Sequence, residues 1–358
     1  MLLAVVVVAL LIGWQTNRAR ARRRAVEAIE SASGYVLYDY QTFVPGGAST
    51  GTPSIPKWLR EGLGDDYFSV VNRARMGNGG RPVRDEDLAS LEALDSIEIL
   101  DVDRSPITDA GLAHLEGLKK LRWLSLLGAD RVTDAGLAHI AGLTHLDNLC
   151  LMQTGVTGPG LAHLAGMKDL RHLHLAGTPL TDAGLIHIRG LSGLQNLMLL
   201  DTKITDAGLV HLKGLRDLND LWIGSDAPTI TDAGLAQIAG MTHLMGLWIK
   251  GPGITDAGLA QIAGMTRLRF LRIHCPKVTD AGLVHLAAMS RLVEVDLSGT
   301  AITDAGLAHF RGRTSLGRLI VKSTAVTDPA AVALDATLPN LTTITGGPPP
   351  SRAAAPAR

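Results

Sequence analysis

The stretch that decides the fold is Ile107–Leu115, ITDAGLAHL, because the chain repeats it at a nearly fixed interval. Successive copies begin 24 to 26 residues apart. A fixed period in the twenties is typical of a solenoid, in which a single unit cannot bury its own apolar face and neighbouring units cover one another. Close copies begin at Thr133, Thr181, Thr205, Thr231, Thr255, Thr279 and Thr303, and diverged copies begin at Thr157 and Thr327.

Each unit joins a helix pattern to a strand pattern. In one unit, apolar residues recur every three positions at Leu283, Leu286 and Met289, which suits a short helix, whereas Val295 and Leu297 are separated by one residue, as in a strand. Threonine before Asp-Ala-Gly is a favourable helix N-cap, and aspartate is stabilised at the positive end of a helix. The regular recurrence of this aspartate therefore predicts a capping role rather than a catalytic one.

The L-x-x-L-x-L spacing of residues 85–345 resembles the leucine-rich repeat family, in the variant found in internalin-like and F-box-associated proteins. The resemblance implies an α/β horseshoe of about ten to eleven repeats, with a concave parallel β-sheet and short convex helices. Family members usually carry an asparagine after the strand that bonds neighbouring backbone. Hydroxyl residues take that position here, and we expect them to form an equivalent ladder: Ser105, Thr154, Thr178, Thr202, Thr300 and Thr324.

The N-terminus carries an uncharged apolar run, MLLAVVVVALLIGW, followed by five arginines between residues 18 and 24. Residues 1–17 would span about 25 Å as a helix, against a hydrocarbon core of about 30 Å. The pattern favours a single-pass membrane anchor at 1–17 with a basic collar, which would hold the repeats in the cytoplasm. A cleaved signal peptide and a buried core helix remain alternatives, although a signal peptide places its charge before the apolar run.

The segments beside the repeats have their own compositions. Residues 18–84 contain the basic collar and then glycine- and proline-broken sequence, and we expect them to form an N-terminal cap because the first repeat's apolar flank must be covered. Residues 346–358 are rich in proline and alanine and are predicted to be a disordered tail.

Composition excludes some functions. The 358 residues have a formal net charge of zero, which argues against nucleic-acid binding, since that requires a basic face. Cys150 and Cys275 lie five repeats apart, too far for a disulfide, so free thiols are expected. We find no phosphate-binding glycine loop, metalloprotease motif or serine nucleophile motif, and predict no enzyme activity and no cofactor.

Histidines are numerous, but their positions do not favour a metal site. Seven of the twelve occupy one repeat position on the outer side of the short helix, where a solvent-facing residue is expected. His172 and His174 lie two apart on one strand and are better explained as part of a polar contact surface than as metal ligands.

The best candidate site lies on the open face of the predicted sheet. Trp222 and Trp248 should occupy adjacent strands, with Phe270 and Arg272 on the next, and exposed tryptophan and arginine are typical of protein interfaces. Loops at 224–229, 251–253 and 274–277 depart from the repeat beside these residues. We name the candidate the tryptophan surface and define it by seven residues: Asn196, Met198, Asp220, Trp222, Trp248, Phe270 and Arg272. The alternative is ordinary repeat variation, with the surface covered by the tail or the cap.

The sequence therefore favours a membrane-anchored leucine-rich repeat protein that binds an unidentified protein or peptide through its concave face. A soluble substrate-recognition adaptor of the F-box-associated type is the alternative, although residues 25–84 do not resemble the helical recruiting module that such adaptors carry. A catalytic N-terminal segment is a third possibility, which the motif search does not support.

Overall fold

The repeating unit folds as its pattern predicts, into one strand and one short helical segment. A computed structural model describes residues 2–31, 34–43, 49–51, 55–77, 82–338 and 340–346. The chain divides into two compact units, Met1–His172 and Leu173–Arg358. The predicted tail at 346–358 lies outside the described residues except for Gly346.

The strands form a ladder that follows chain order. In the first unit the sheet order is β1-β4-β5-β6-β7-β8, with β1 antiparallel to β4 and the β4–β5, β5–β6 and β6–β7 pairs parallel. In the second unit β9 to β15 are successive parallel neighbours. The strands are β1 (Tyr35–Tyr38), β2 (Thr42–Phe43), β3 (Ser49–Thr50), β4 (Val71–Arg75), β5 (Ile99–Asp101), β6 (Trp123–Ser125), β7 (Asn148–Cys150), β8 (His172–His174), β9 (Asn196–Leu200), β10 (Asp220–Gly224), β11 (Gly246–Lys250), β12 (Phe270–His274), β13 (Glu294–Asp296), β14 (Arg318–Lys322) and β15 (Thr342–Gly346).

Helical segments connect the strands and have either α or 3₁₀ geometry. The α-helices are α1 (Leu2–Ser31), α2 (Lys57–Leu63), α3 (Asp85–Leu88), α4 (Asp109–Leu112), α5 (Leu137–Ile140), α6 (Asp182–Leu185), α7 (Asp232–Ile238), α8 (Asp256–Ile262) and α9 (Asp328–Asp335). The 3₁₀ segments are Asp65–Tyr67, Ala89–Ala93, Ala113–Leu115, Pro159–Gly166, Gly208–Gly214, Asp280–Leu286 and Gly306–Phe310.

Aliphatic side chains fill the space between strands and helices. Leu235 and Ile238 of α7 and Leu247 of β11 are at most 2% exposed. In β10, Leu221 and Ile223 are buried in the core, whereas Asp220 and Trp222 lie on the open face, because side chains alternate along a strand. The inward side of the sheet is therefore largely aliphatic, and the open face carries polar and aromatic side chains.

A threonine–aspartate ladder joins successive repeats. The Asp232 carboxylate accepts hydrogen bonds from the Thr255 backbone N–H at 2.8 Å and from the Thr255 hydroxyl at 2.7 Å. The Thr255 hydroxyl oxygen in turn accepts from Ala257 N, which is the predicted N-cap. The aspartate therefore does more than begin a helix: it holds the N-cap residue of the following repeat.

The prediction that the hydroxyl groups after the strands form a ladder between repeats is wrong. Thr154, Thr178 and Thr300 are buried as expected, but each donates its hydroxyl to the carbonyl three residues earlier in its own repeat, at 2.6 to 2.7 Å. A threonine side chain is one bond shorter than asparagine, so it satisfies a local carbonyl rather than reaching the next repeat.

The predicted single-pass membrane localisation through an anchor at residues 1–17 is also wrong, and the inference that such an anchor holds the repeats in the cytoplasm loses its basis. Within the described part of the chain, no helix has the length and apolar character needed to cross a bilayer. The apolar run continues without interruption into an arginine-rich half of α1, and this half packs on the first unit. Ile29 is fully buried, Arg18 pairs with Asp95, and the Arg22 guanidinium lies 3.9 Å from the same carboxyl group and is itself buried.

Candidate functional site

Two tryptophans on adjacent strands form the centre of the site. Trp222 of β10 pairs directly with Trp248 of β11, and their ring centroids lie 4.8 Å apart at 60°. Met198 precedes them in the same column and Arg272 follows. Both indoles are half-buried because they cover one another while remaining on the open face.

Arg272 extends the aromatic column with a charge. Its guanidinium carbon lies 5.4 Å from the Trp248 ring centroid, within cation–π range. The same guanidinium donates to Glu294 Oε1 at 3.1 Å, and Arg318 lies 3.5 Å from Oε2 of that carboxylate. Glu294 is thus held between two arginines, and Arg272 is held against the tryptophan.

The neighbouring column contains a gap. Asp220, Gly246 and Phe270 are successive partners in this column, so glycine removes the side chain between a carboxylate and an aromatic ring. A cavity of about 220 Å³ opens at this point. Its walls include both tryptophans, and its lining is Asp220, Trp222, Gly246, Leu247, Trp248, Phe270, Arg272 and Glu294.

A histidine–carboxylate pair borders the surface on the far side of Trp248. The His274 ring meets Trp248 edge-on at 5.4 Å, and its Nε2 lies 3.2 Å from Asp296 Oδ2. Burial raises the pKa of Asp296, but hydrogen bonds from His274 and Ser298 outweigh it and bring the pKa to about 2. Asp296 is therefore ionised throughout the physiological pH range.

Lys250 of β11 forms an ion pair with the loop at 224–229 that follows β10. Lys250 Nζ donates to Asp226 at 3.1 Å and to Asp201 at 3.0 Å. Burial lowers the pKa of Lys250, but hydrogen bonds and charge from the two carboxylates outweigh it, and the net shift is upward. Gly224 begins the loop with a φ of 103°, which a residue with a side chain rarely adopts.

The structure brings all seven predicted residues onto four neighbouring strands of the second unit, β9 to β12. Gly246, Glu294 and the His274–Asp296 pair also belong to this region and were not among the residues predicted from the sequence. Gly246 could have been noticed in the sequence, because the corresponding positions of the neighbouring repeats hold larger residues. The charged pairs had no such signal, because their geometry depends on side-chain conformations.

Other sequence features have structural explanations. Cys150 and Cys275 are buried free thiols, as predicted, and burial raises the pKa of Cys275 to about 12. In the repeat histidine column, His114 Nδ1 lies 2.6 Å from Glu92 and His139 Nδ1 lies 2.7 Å from Glu116, so these rings pair between repeats. Across the described ranges, no group of three or more potential ligand side chains is placed to hold a metal ion.

Comparisons with known proteins agree with this repeat architecture. A family model described as Leucine Rich repeat matches residues 167–188 and 290–309. Similar solved structures include the internalin InlF of Listeria monocytogenes, which is 20% identical over 81% of this chain and 94% of that one, with a TM-score of 0.49. Internalin C2 of the same bacterium is 23% identical over 66% of this chain and 84% of that one, with a TM-score of 0.40. No curated protein matches the sequence.

The chain is a leucine-rich repeat protein. This identification combines the matched repeats, the 24-residue unit and the parallel strand ladder built from it. The predicted family and fold class are therefore confirmed.

Proposed function

We propose that this protein binds another protein or a peptide through the tryptophan surface and has no catalytic role of its own. The observation that carries the proposal is the paired indole column of Trp222 and Trp248, continued by the Arg272 guanidinium at 5.4 Å. A few hot-spot residues carry most of the binding energy in protein interfaces, each worth about 2 kcal/mol or more, and tryptophan and arginine are enriched among them.

The packing around these residues supports the same role. The indoles hold each other, and Glu294 holds Arg272, so little side-chain freedom is left to lose when a partner docks. Preorganised side chains bind more tightly because the cost of ordering them has already been met. Phe270 adds a ring that is 43% exposed at the edge of the cavity.

The test is capture of partners by the full chain. Purified wild-type protein and a Trp222→Ala/Trp248→Ala variant are immobilised at equal density and incubated with extract of the source cells, and captured proteins are quantified by mass spectrometry. We expect at least a tenfold loss of the captured partner in the double variant, because each hot-spot loss is worth about tenfold or more.

Trp123→Ala is the matched control. Trp123 is also on the open face and is 42% exposed, but it belongs to β6 in the first unit. The control variant should retain capture, and circular dichroism should show that both variants remain folded. Equal capture by wild type and the double variant would refute the proposal, as would a wild-type chain that captures nothing.

A further inference from the structure

We infer that three arginines beside the tryptophan surface, Arg267, Arg269 and Arg291, receive aspartate or glutamate side chains of the partner. We call these three residues the arginine strip. The inference rests on the proposed function and adds the charge of the partner segment that docks beside the indoles.

The arginine strip lies where β12 and β13 begin. Arg269 directly precedes Phe270, and Arg267 and Arg291 each lie three residues before the first residue of a strand. Leu268, between the first two arginines, is buried, whereas all three arginines are exposed. The Arg269 guanidinium carbon lies 5.7 Å from the Phe270 ring centroid, so the strip adjoins the tryptophan surface.

The acidic groups of this region are already engaged. Between residues 267 and 322 the chain has nine lysines and arginines but four aspartates and glutamates, although the whole chain has 34 of each kind. Two of the four hold threonines in the ladder, one pairs with a histidine and one is shared by two arginines: Asp280, Asp304, Asp296 and Glu294. The guanidinium groups of the arginine strip have neither a hydrogen bond nor an ion pair with any residue that the structure describes.

The first unit supplies a carboxylate at the corresponding positions. Arg122 directly precedes β6, as Arg269 precedes β12, and its guanidinium donates at 3.2 Å to Asp147 in the same position of the next repeat. Val293 takes the place of that aspartate in the second unit. Arg269 therefore has the position of a paired arginine without the acid that would pair with it.

The other two positions of the strip show the same difference. His145 lies three residues before β7, and its Nδ1 lies 3.3 Å from Asp169, three residues before β8. In the second unit Arg267 is followed by Arg291 in this column, and Arg291 is followed by Ser315. Two guanidinium groups thus occupy neighbouring repeats and repel each other. A carboxylate from the partner would offset that repulsion.

The chemistry of the strip selects an acidic polypeptide segment. A guanidinium group presents paired N–H donors that match the two oxygens of a carboxylate. Duplex nucleic acid instead requires a longer basic face that neutralises a row of phosphates. The strip spans two repeats, and the repeat of β10 on the same sheet carries the acidic residues Asp217 and Asp220.

The inference is tested with acetylated and amidated peptides of sequence Leu-Gly-X-X-X-Gly, in which X is glutamate, glutamine or lysine. Each is titrated into the full-length protein while the Nε–H signals of the strip arginines are followed by NMR. We expect saturable shifts with the glutamate peptide, at least about fivefold weaker apparent affinity for the glutamine peptide, and no saturable shift with the lysine peptide. Added salt should weaken the glutamate peptide, because it screens charges at an exposed site.

Arg267→Gln/Arg291→Gln removes two charges of the strip and leaves every residue of the tryptophan surface in place. It should weaken the glutamate peptide by about fivefold or more, as followed at the Arg269 signal. Arg189→Gln/Arg311→Gln is the matched control, since it removes two exposed arginines from connections that follow helical segments of the same unit. The control variant should bind the glutamate peptide as the wild type does.

Three results would overturn the inference. The first is a glutamate peptide that gives no saturable shift or binds no better than the glutamine peptide, and the second is unchanged binding in Arg267→Gln/Arg291→Gln. The third is a thymidine hexanucleotide that binds more tightly than the glutamate peptide, which would assign the strip to nucleic acid. None of these removes the proposed function, because the effect of the double tryptophan variant on partner capture is measured separately.

Discussion

The glycine of the Thr-Asp-Ala-Gly unit is required by contact between repeats. A Cβ atom on Gly258 would lie within 3.0 Å of Asp232 Oδ1. That carboxylate is fixed by two hydrogen bonds from Thr255, so it cannot turn aside without breaking the ladder. The repeated glycine is therefore a packing requirement at this position.

Gly258→Ala should destabilise the protein by about 1–3 kcal/mol, because the added methyl group forces the Asp232 carboxylate to break bonds made in the partly buried ladder. The measurement is urea-induced unfolding followed by circular dichroism. Gly264→Ala is the matched control, since a Cβ there meets no atom within 4 Å. Its expected effect is within about 0.5 kcal/mol. Equal losses in the two variants would contradict the ladder explanation.

At the scale of elements, the Lys250 ammonium group of β11 contacts the loop after β10. Lys250 contacts Asp226, which is 88% exposed, and also Asp201 on the far side of the loop. Lys250 therefore adds a contact from the sheet to a loop whose own hydrogen bonds join Ser225 to Ala227 and Thr229.

Lys250→Met should therefore loosen the loop and leave the fold in place. We expect amide hydrogen exchange at residues 225–229 to accelerate about two- to tenfold, in keeping with the loss of an ion pair worth up to about 1 kcal/mol. Lys203→Met, at an exposed lysine in the same unit, provides the control and should not change exchange in this loop. Unaltered exchange in Lys250→Met would mean that the loop is held by its own contacts.

At the scale of the molecule, the first repeat of a stack has no preceding repeat to cover its apolar side. Another element must cover that side, because each repeat contacts only its neighbours. Helix α1 packs beside Ala89–Ala93 in the first unit, and Ala25, Val26 and Ile29 are buried there. The cap predicted for residues 18–84 stays a prediction, and this packing is what makes it testable.

Ile29→Ala should cost about 2–5 kcal/mol by leaving a cavity under α1. Faster hydrogen exchange should appear in β4 and β5 and should decline toward β9 to β15, because coupling in a solenoid passes between neighbours. Hydrogen exchange with mass spectrometry measures this gradient directly. A uniform acceleration along the whole chain would argue that the repeats unfold as one block.

The period of the leucines was sufficient to predict the repeat domain. A leucine every third residue and then every second residue can bury its apolar atoms only as a helix followed by a strand, so the position of the strands and the open-face column of Trp222, Trp248 and Arg272 followed directly. The N-terminal prediction came from composition rather than from the repeat period, and it was misleading. An apolar run beside arginines looks alike whether the arginines meet lipid headgroups or, as with Arg18 and Arg22, the carboxylate of Asp95.

The periodic part of this protein could be predicted from its residues alone: the solenoid, the register of its strands and the presence of two indoles on one face. These features follow from the spacing of apolar residues along the chain, which is nearly the same in every repeat. Three contacts could be seen only in the folded chain: Asp232 reaches the threonine of the next repeat, Asp220 leans over Gly246, and Glu294 is shared by Arg272 and Arg318. These contacts join side chains about one repeat apart, and a flexible side chain takes its direction from its neighbours in space rather than from its neighbours in the chain.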